Sequence, residues 1–179
     1  GYASWTAINS GYVWAAEGIA VNNNTNSPHF GRIFVGNAAA GSGSAPGDLV
    51  GITKYHADGS PATEGAFSTG GWAWSGNESS PWKLEVGADD RVYVADGASA
   101  CTVLSFDQFI TSNSPPRQVL TTNNMVAPGV NYAGLFASGS GTNRFIYMTD
   151  IGSGSPGGVG VRRWLITTNG SAAANDSGV

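Results

Sequence analysis

Short runs of apolar, often β-branched residues, separated by glycine-rich polar stretches, dominate the chain, and one of these runs recurs. Ile33-Phe34-Val35-Gly36-Asn37 is matched by Val92-Tyr93-Val94-Ala95-Asp96 and by Ile146-Tyr147-Met148-Thr149-Asp150. Each copy is an apolar β-forming triplet, a small residue, then Asn or Asp. From Val35 to Val94 to Met148 the period is about 55 residues, at the upper end of structural repeats. One such unit cannot bury its own faces, so the fold must come from repetition.

Flanking segments repeat with it. A short apolar strand is expected before each copy, at Gly18-Ile19-Ala20-Val21, Lys83-Leu84-Glu85-Val86 and Gly134-Leu135-Phe136-Ala137. A strand ending in an aromatic follows, at Gly51–Tyr55, Thr102–Phe106 and Val161–Trp164. Alternation and β-branched content support all of these. A fourth strand is expected near Phe67–Trp74 and at Arg117–Thr122, with no counterpart in the third unit. Gly87-Ala88-Asp89-Asp90 reads as a tight hairpin connection. Ala57-Asp58-Gly59-Ser60 and Thr168-Asn169-Gly170-Ser171 read as turns in which glycine accepts positive φ. The loops after the second strands, 38–48, 97–101 and 151–160, differ from unit to unit, which is where repeat folds usually carry function.

Composition agrees with an all-β chain. Of 179 residues 27 are Gly, while Lys, Glu and Leu, which build helices, are scarce. Only 11% of residues are charged and the formal net charge is −4, which argues against nucleic acid as a partner because that needs a basic stripe. No apolar run reaches membrane-spanning length. Gly1 stands where an initiator Met would, so the start is expected to be a processed end or a cut from a longer chain. The single Cys101 cannot form an internal disulfide, and low charge with abundant Ser, Thr, Asn and Gly points to an extracellular protein. Asn-x-Ser/Thr sequons at Asn23, Asn77, Asn169 and Asn175 all fall in expected loops or the tail, although this composition supplies two or three by chance.

The run from Lys83 to Asp96, followed by Val103-Leu104-Ser105-Phe106-Asp107, resembles a blade of an NHL-type β-propeller. The first and third units match more loosely, with longer loops and with Tyr55 and Trp164 in place of Phe. The resemblance covers about residues 18–168. It implies a propeller-like array of about three four-stranded antiparallel units, at 18–75, 82–122 and 132–168, and by itself implies no function. Three units do not close a ring, since propellers use about four to eight blades. Residues 1–17 are expected to form an N-terminal arm or strand, and 169–179 a flexible tail. Tyr2, Ser4, Trp5, Thr6 and Ile8 alternate as a strand would. That strand is expected to complete the last blade of its own molecule, or to add to the open edge of a neighbour and so build filaments.

Candidate chemistry is sparse. His29, His56 and Cys101, taken as lying in different units, do not make a zinc set. Asp89, Asp90, Asp96 and Asp107 are dense enough to consider calcium, against the plainer expectation that they shape a hairpin and a loop. Gly152, Gly154 and Gly157 match a dinucleotide fingerprint, but Pro156 and more glycines follow where a helix is required. Glu85 occupies a position held by Ala20 and Phe136 in the other units, and is read either as a buried catalytic acid or, more often, as a residue on an outward strand face. Arg32 and Arg91, just before the second strands, are expected to pair with nearby carboxylates or to cover apolar surface. Trp72 and Trp74 share a strand face and could stack on sugar rings, or wedge between blades. No cofactor is implied. Three readings follow. The first is a non-enzymatic extracellular structural or adhesive module that assembles with itself or with other extracellular proteins or glycans. The second is a fragment of a secreted glycan- or protein-binding propeller, and the third a carbohydrate-active enzyme.

Overall fold

The computed structural model describes residues 16–37, 51–67, 71–73, 81–96, 102–108, 117–120, 132–150 and 160–167. Among these the regular structure is all-β apart from one 3-10 turn, Gly65–Phe67. The strands are β1 (Ala16–Val21), β2 (Ile33–Asn37), β3 (Gly51–Tyr55), β4 (Gly71–Ala73), β5 (Pro81–Val86), β6 (Arg91–Asp96), β7 (Thr102–Asp107), β8 (Arg117–Leu120), β9 (Tyr132–Ser138), β10 (Arg144–Asp150) and β11 (Gly160–Ile166). They form three antiparallel meanders. The first sheet has the order β1-β2-β3-β4, the second β5-β6-β7-β8, and the third β11-β10-β9.

The sequence repeat is also a repeat of register. The first residue of each recurring triplet stands opposite the aromatic of the following strand: Ile33 opposite Tyr55, Val92 opposite Phe106, Ile146 opposite Trp164. On its other side the same residue meets Val21, Val86 or Ala137. The closing polar residues Asn37 and Asp96 are buried at the strand ends.

Of the expected fourth strands, the described residues show Gly71–Ala73 and Arg117–Leu120. Phe67 belongs not to β4 but to the 3-10 turn, which Gly65 enters at a positive φ of 63°. Its ring is fully buried, 6.3 Å from Phe34 and 6.2 Å from Phe106, so it plugs the space between two sheets. Of the expected turns, 57–60 is present, with Gly59 at φ 85°, while 168–171 lies outside the described residues.

The three sheets stack face to face, and strand alternation decides which residues meet. Ala20, Phe34 and Ile52 of the first sheet bury against Leu84, Val92, Val94, Leu104 and Phe106 of the second. The opposite face of the second sheet, with Tyr93, Ala95, Val103 and Val119, buries against Ala137, Ile146, Met148, Trp164 and Ile166 of the third. The central sheet is therefore covered on both faces. This explains why Val92 through Asp96 are buried without the alternation of a half-exposed strand.

Polar ties hold the same junctions. Lys54, wholly buried, donates from Nζ to the Gln108 carbonyl oxygen at 3.2 Å, and Lys83 Nζ donates to the Glu17 carbonyl at 2.7 Å. Asn22 and Asn24 donate to Asp90 Oδ1 at 3.2 and 3.3 Å. Between the second and third sheets Arg144 pairs with Asp89 at 2.9 Å, and the Tyr93 hydroxyl donates to the same carboxylate at 2.8 Å. Burial, joined by the Asp89 charge, pushes the Tyr93 phenol well above its ordinary range.

Candidate functional site

Among the described residues, those singled out from sequence do not converge on a catalytic set. Glu85 lies opposite Tyr93, on the face of β5 turned toward the third sheet rather than outward. There it is half-buried, and loss of hydration raises its carboxyl pKa. Asp89 accepts from the Tyr93 hydroxyl and pairs with Arg144, Asp90 accepts from two asparagines, Asp96 is buried and Asp107 is exposed. Among the described residues no group of three His, Cys, Asp or Glu is placed to hold a metal ion. No helix among them is long and apolar enough to cross a membrane.

The histidines are closer together than the sequence reading had them. His29 and His56 both belong to the first sheet's turns and line one open polar hollow with Pro28, Phe30, Arg32, Ala57 and Asp58. The β2–β3 pairing brings them there, because the turn before β2 and the turn after β3 lie at the same end of the sheet. Two charged side chains of the hollow, Arg32 and Asp58, are engaged. Arg32 forms a two-pronged ion pair with Glu64 at 2.9 and 2.6 Å, as expected of an arginine at that position. Asp58 accepts from the Ser60 amide and hydroxyl, which lowers its pKa. Arg91, in the equivalent place, donates instead to the Ser105 hydroxyl at 3.2 Å.

Trp72 stands in β4 opposite Ile52. Trp74, Asn77, Asn169, Asn175, Cys101, residues 152–157 and the arm with Tyr2, Ser4, Trp5, Thr6 and Ile8 lie outside the described residues. Asn23 is exposed in the turn after β1.

What the sequence reading missed is a pair of apolar faces at the two ends of the stack. On the first sheet, the face turned away from its neighbour carries Ile19, 63% exposed, and Val21, 39% exposed, beside the half-buried Ile33 and Val35. Further out on that face Thr53 and Tyr55 are buried. On the third sheet, the face turned away carries Phe136, 54% exposed, and Val161, 45% exposed. Phe136 stands 6.1 Å from the Tyr147 ring, which lies 6.3 Å from Phe145, and the Arg163 guanidinium sits 5.2 Å over Phe145. An open, almost wholly apolar hollow lies in this face, lined by Gly134, Phe136, Tyr147, Thr149 and Val161.

Register relates both faces to buried ones. Ile19, Leu84 and Leu135 are equivalent, because each stands opposite the third residue of its triplet, Val35, Val94 or Met148. Leu84 packs into the first sheet and Leu135 against the second, while Ile19 is exposed. Phe136 and Tyr147 are likewise equivalent to Ala20 and Phe34, which the second sheet covers. The equivalence was legible in the repeat itself, which aligns Ile19 with Leu84 and Leu135 and aligns Phe136 with Ala20. A scan against protein-family models finds no match to the chain, and a search of curated proteins finds none either.

Proposed function

We propose that the chain is a non-enzymatic extracellular structural or adhesive module of propeller type, built from four-stranded units, that acts by assembling with itself. The observation that carries this reading is the exposure of Ile19, Val21, Phe136 and Val161 on faces whose equivalents elsewhere in the chain are buried between sheets. Apolar residues grouped in this way on a low-charge surface favour association over solvation. The reading is supported further by polar side chains that are taken up in ties between sheets and within turns instead of converging on a reacting centre. Contacts between two different faces of like copies run head to tail, and they give filaments when the contact does not close.

The test is sedimentation velocity of the purified chain over a hundredfold concentration range, with negative-stain imaging of the concentrated sample. Growth of discrete oligomers or filaments with concentration is expected. A folded protein that sediments as a single monomeric species throughout would overturn the reading. Deleting residues 1–10 separates two routes: assembly through the sheet faces survives the deletion, and assembly through an exchanged N-terminal strand does not.

A further inference from the structure

We propose that assembly is driven by one contact, in which Ile19 of one copy seats in the Gly134 hollow of a second. This deepens the self-assembly reading and rests on it. The argument starts from how the first two sheets already meet. Leu84 projects from β5 into a recess that exists because positions 18 and 36 of the first sheet carry no side chain. A Cβ at Gly36 would lie 2.5 Å from a Leu84 methyl, and one at Gly18 would lie 3.0 Å from it. Leu84 is the knob and Gly18 with Gly36 the hole.

Register carries both parts to the ends of the stack. The residue equivalent to Leu84 in the first sheet is Ile19. It is the most exposed large apolar residue among those described, a knob with nothing of this kind beneath it. Gly18 stands opposite Gly36, and the equivalent pair in the third sheet is Gly134 opposite Thr149. The small residue is retained at Gly134, while Thr149 replaces Gly36, and its Oγ1 would lie 2.9 Å from a Cβ at Gly134, so the recess in the third sheet is narrower than the one at Gly18 and Gly36. Gly134 and Thr149 both line the open hollow in the third sheet, together with Phe136, Tyr147 and Val161. The third sheet thus presents the hole and the first sheet the knob, in the order in which successive sheets meet inside the chain.

A second copy is the occupant that these observations select, because the first sheet carries the complementary face and the chain shows the same type of face pairing twice, first sheet on second and second on third. The contact is heterologous: the knob of each copy engages the hole of the next, so each copy can engage two neighbours.

The test uses the full chain with one face blocked at a time. Ile19→Asp blocks the knob and Phe136→Asp the hollow, each at an exposed position, so folding should persist by far-UV circular dichroism and melting midpoint. A second pair, Val21→Asp and Val161→Asp, guards against either variant failing to fold. Each blocked variant is expected to sediment as a monomer, its association weakened at least tenfold, because a carboxylate would have to be buried unpaired. Ile19→Leu should assemble as the parent does. An equimolar mixture of the two blocked variants keeps one intact knob and one intact hollow, so it should form a dimer and stop there. If the parent chain assembles but folded blocked variants assemble as well as it does, or their mixture stays monomeric, this contact is overturned while self-assembly stands. A parent chain that stays monomeric overturns both.

Discussion

Lys54 and Glu64 form an ion pair in which the lysine is wholly buried and the glutamate reaches solvent, with Nζ 3.1 Å from Oε2. Glu64 is shared: Arg32 holds it with two hydrogen bonds, and the Arg32 contact is the main reason its pKa falls far below the ordinary 4.5, with Lys54 adding less. Burial lowers the Lys54 pKa, and Glu64 opposes that shift. Because the folded-state pKa of Glu64 is depressed, its stabilisation is fully present above 4.5 and is lost as pH falls below that value. Glu64→Gln should therefore be less stable than the parent at pH 7, and the gap should close progressively below pH 4.5. Urea melts at pH 7, 4 and 3 check this. A gap that stays constant with pH would show that the glutamate acts through packing and not through its charge.

Glu85 should behave in the opposite sense. Burial raises its pKa, so ionising it costs more in the folded chain than in the unfolded one. Its relative contribution is most favourable below 4.5 and is lost as pH rises through the raised folded-state value. Glu85→Gln, which keeps the shape and removes the charge, should stabilise the chain at pH 7 by about 0.5–2 kcal/mol and by much less at pH 4. Equal effects at the two pH values would place the ionised carboxylate in a better-solvated or paired setting.

These two glutamates mark what could be read from sequence. The repeat of Ile33, Val92 and Ile146 was legible because strand pairing and a period of two leave a direct trace, and the observed registers follow it. Which face of a strand meets which neighbour left no such trace. Glu85 sits on a face that turns inward only because a third sheet covers the second, and β6 is apolar on both faces, so its pattern cannot say which side meets which sheet. Lys54 was placed only as part of the strand Gly51–Tyr55, and its burial could not be read there, because Glu64 and the Gln108 carbonyl come to it from segments 10 and 54 positions away. His29 and His56 were separable in sequence, and only the β2–β3 pairing brings them to one hollow. The knob at Ile19 was visible as a residue but not as an exposed one, since its equivalents Leu84 and Leu135 face packed neighbours.

Asp90 carries two roles that substitution can separate. It is the one non-glycine residue with positive φ among those described, at 61°, in the turn where its amide donates to the Gly87 carbonyl at 3.0 Å. Its Oδ1 also accepts from Asn22 and Asn24 of the first sheet. Asp90→Asn tolerates that backbone conformation and keeps an acceptor, so it should cost less than about 1 kcal/mol. Asp90→Gly relaxes the backbone but removes both cross-sheet bonds, and Asp90→Ala loses the bonds and adds strain, for about 2–3 kcal/mol in total. The ranking Asn, Gly, Ala in order of rising cost, measured by chemical denaturation, is the expected outcome. If Ala and Gly cost the same, the backbone conformation contributes nothing at this site.

Gly36→Ala tests the knob-and-hole junction inside a single chain, independently of any assembly. The added methyl would lie 2.5 Å from both the Pro81 carbonyl oxygen and a Leu84 methyl. Leu84 can change rotamer, but the Pro81 carbonyl belongs to the backbone of β5, so the first and second sheets would have to separate by some tenths of an ångström. Overpacking of this kind costs about 1–3 kcal/mol. Because the strain falls between sheets, the loss should appear as earlier exposure of the first sheet and not as uniform destabilisation. In hydrogen exchange, the amides of β1–β3 should lose protection at lower denaturant than those of β9–β11, whereas the parent should lose both together. Trimming the knob in the same chain, as Gly36→Ala with Leu84→Ala, removes one of the two clashes and opens space for the other. The double variant should therefore be less destabilised than the sum of the two single changes, with a coupling of about 0.5–2 kcal/mol. Strict additivity would mean that Leu84 and Gly36 do not meet as described, and the equivalence drawn between Leu84 and Ile19 would lose its basis.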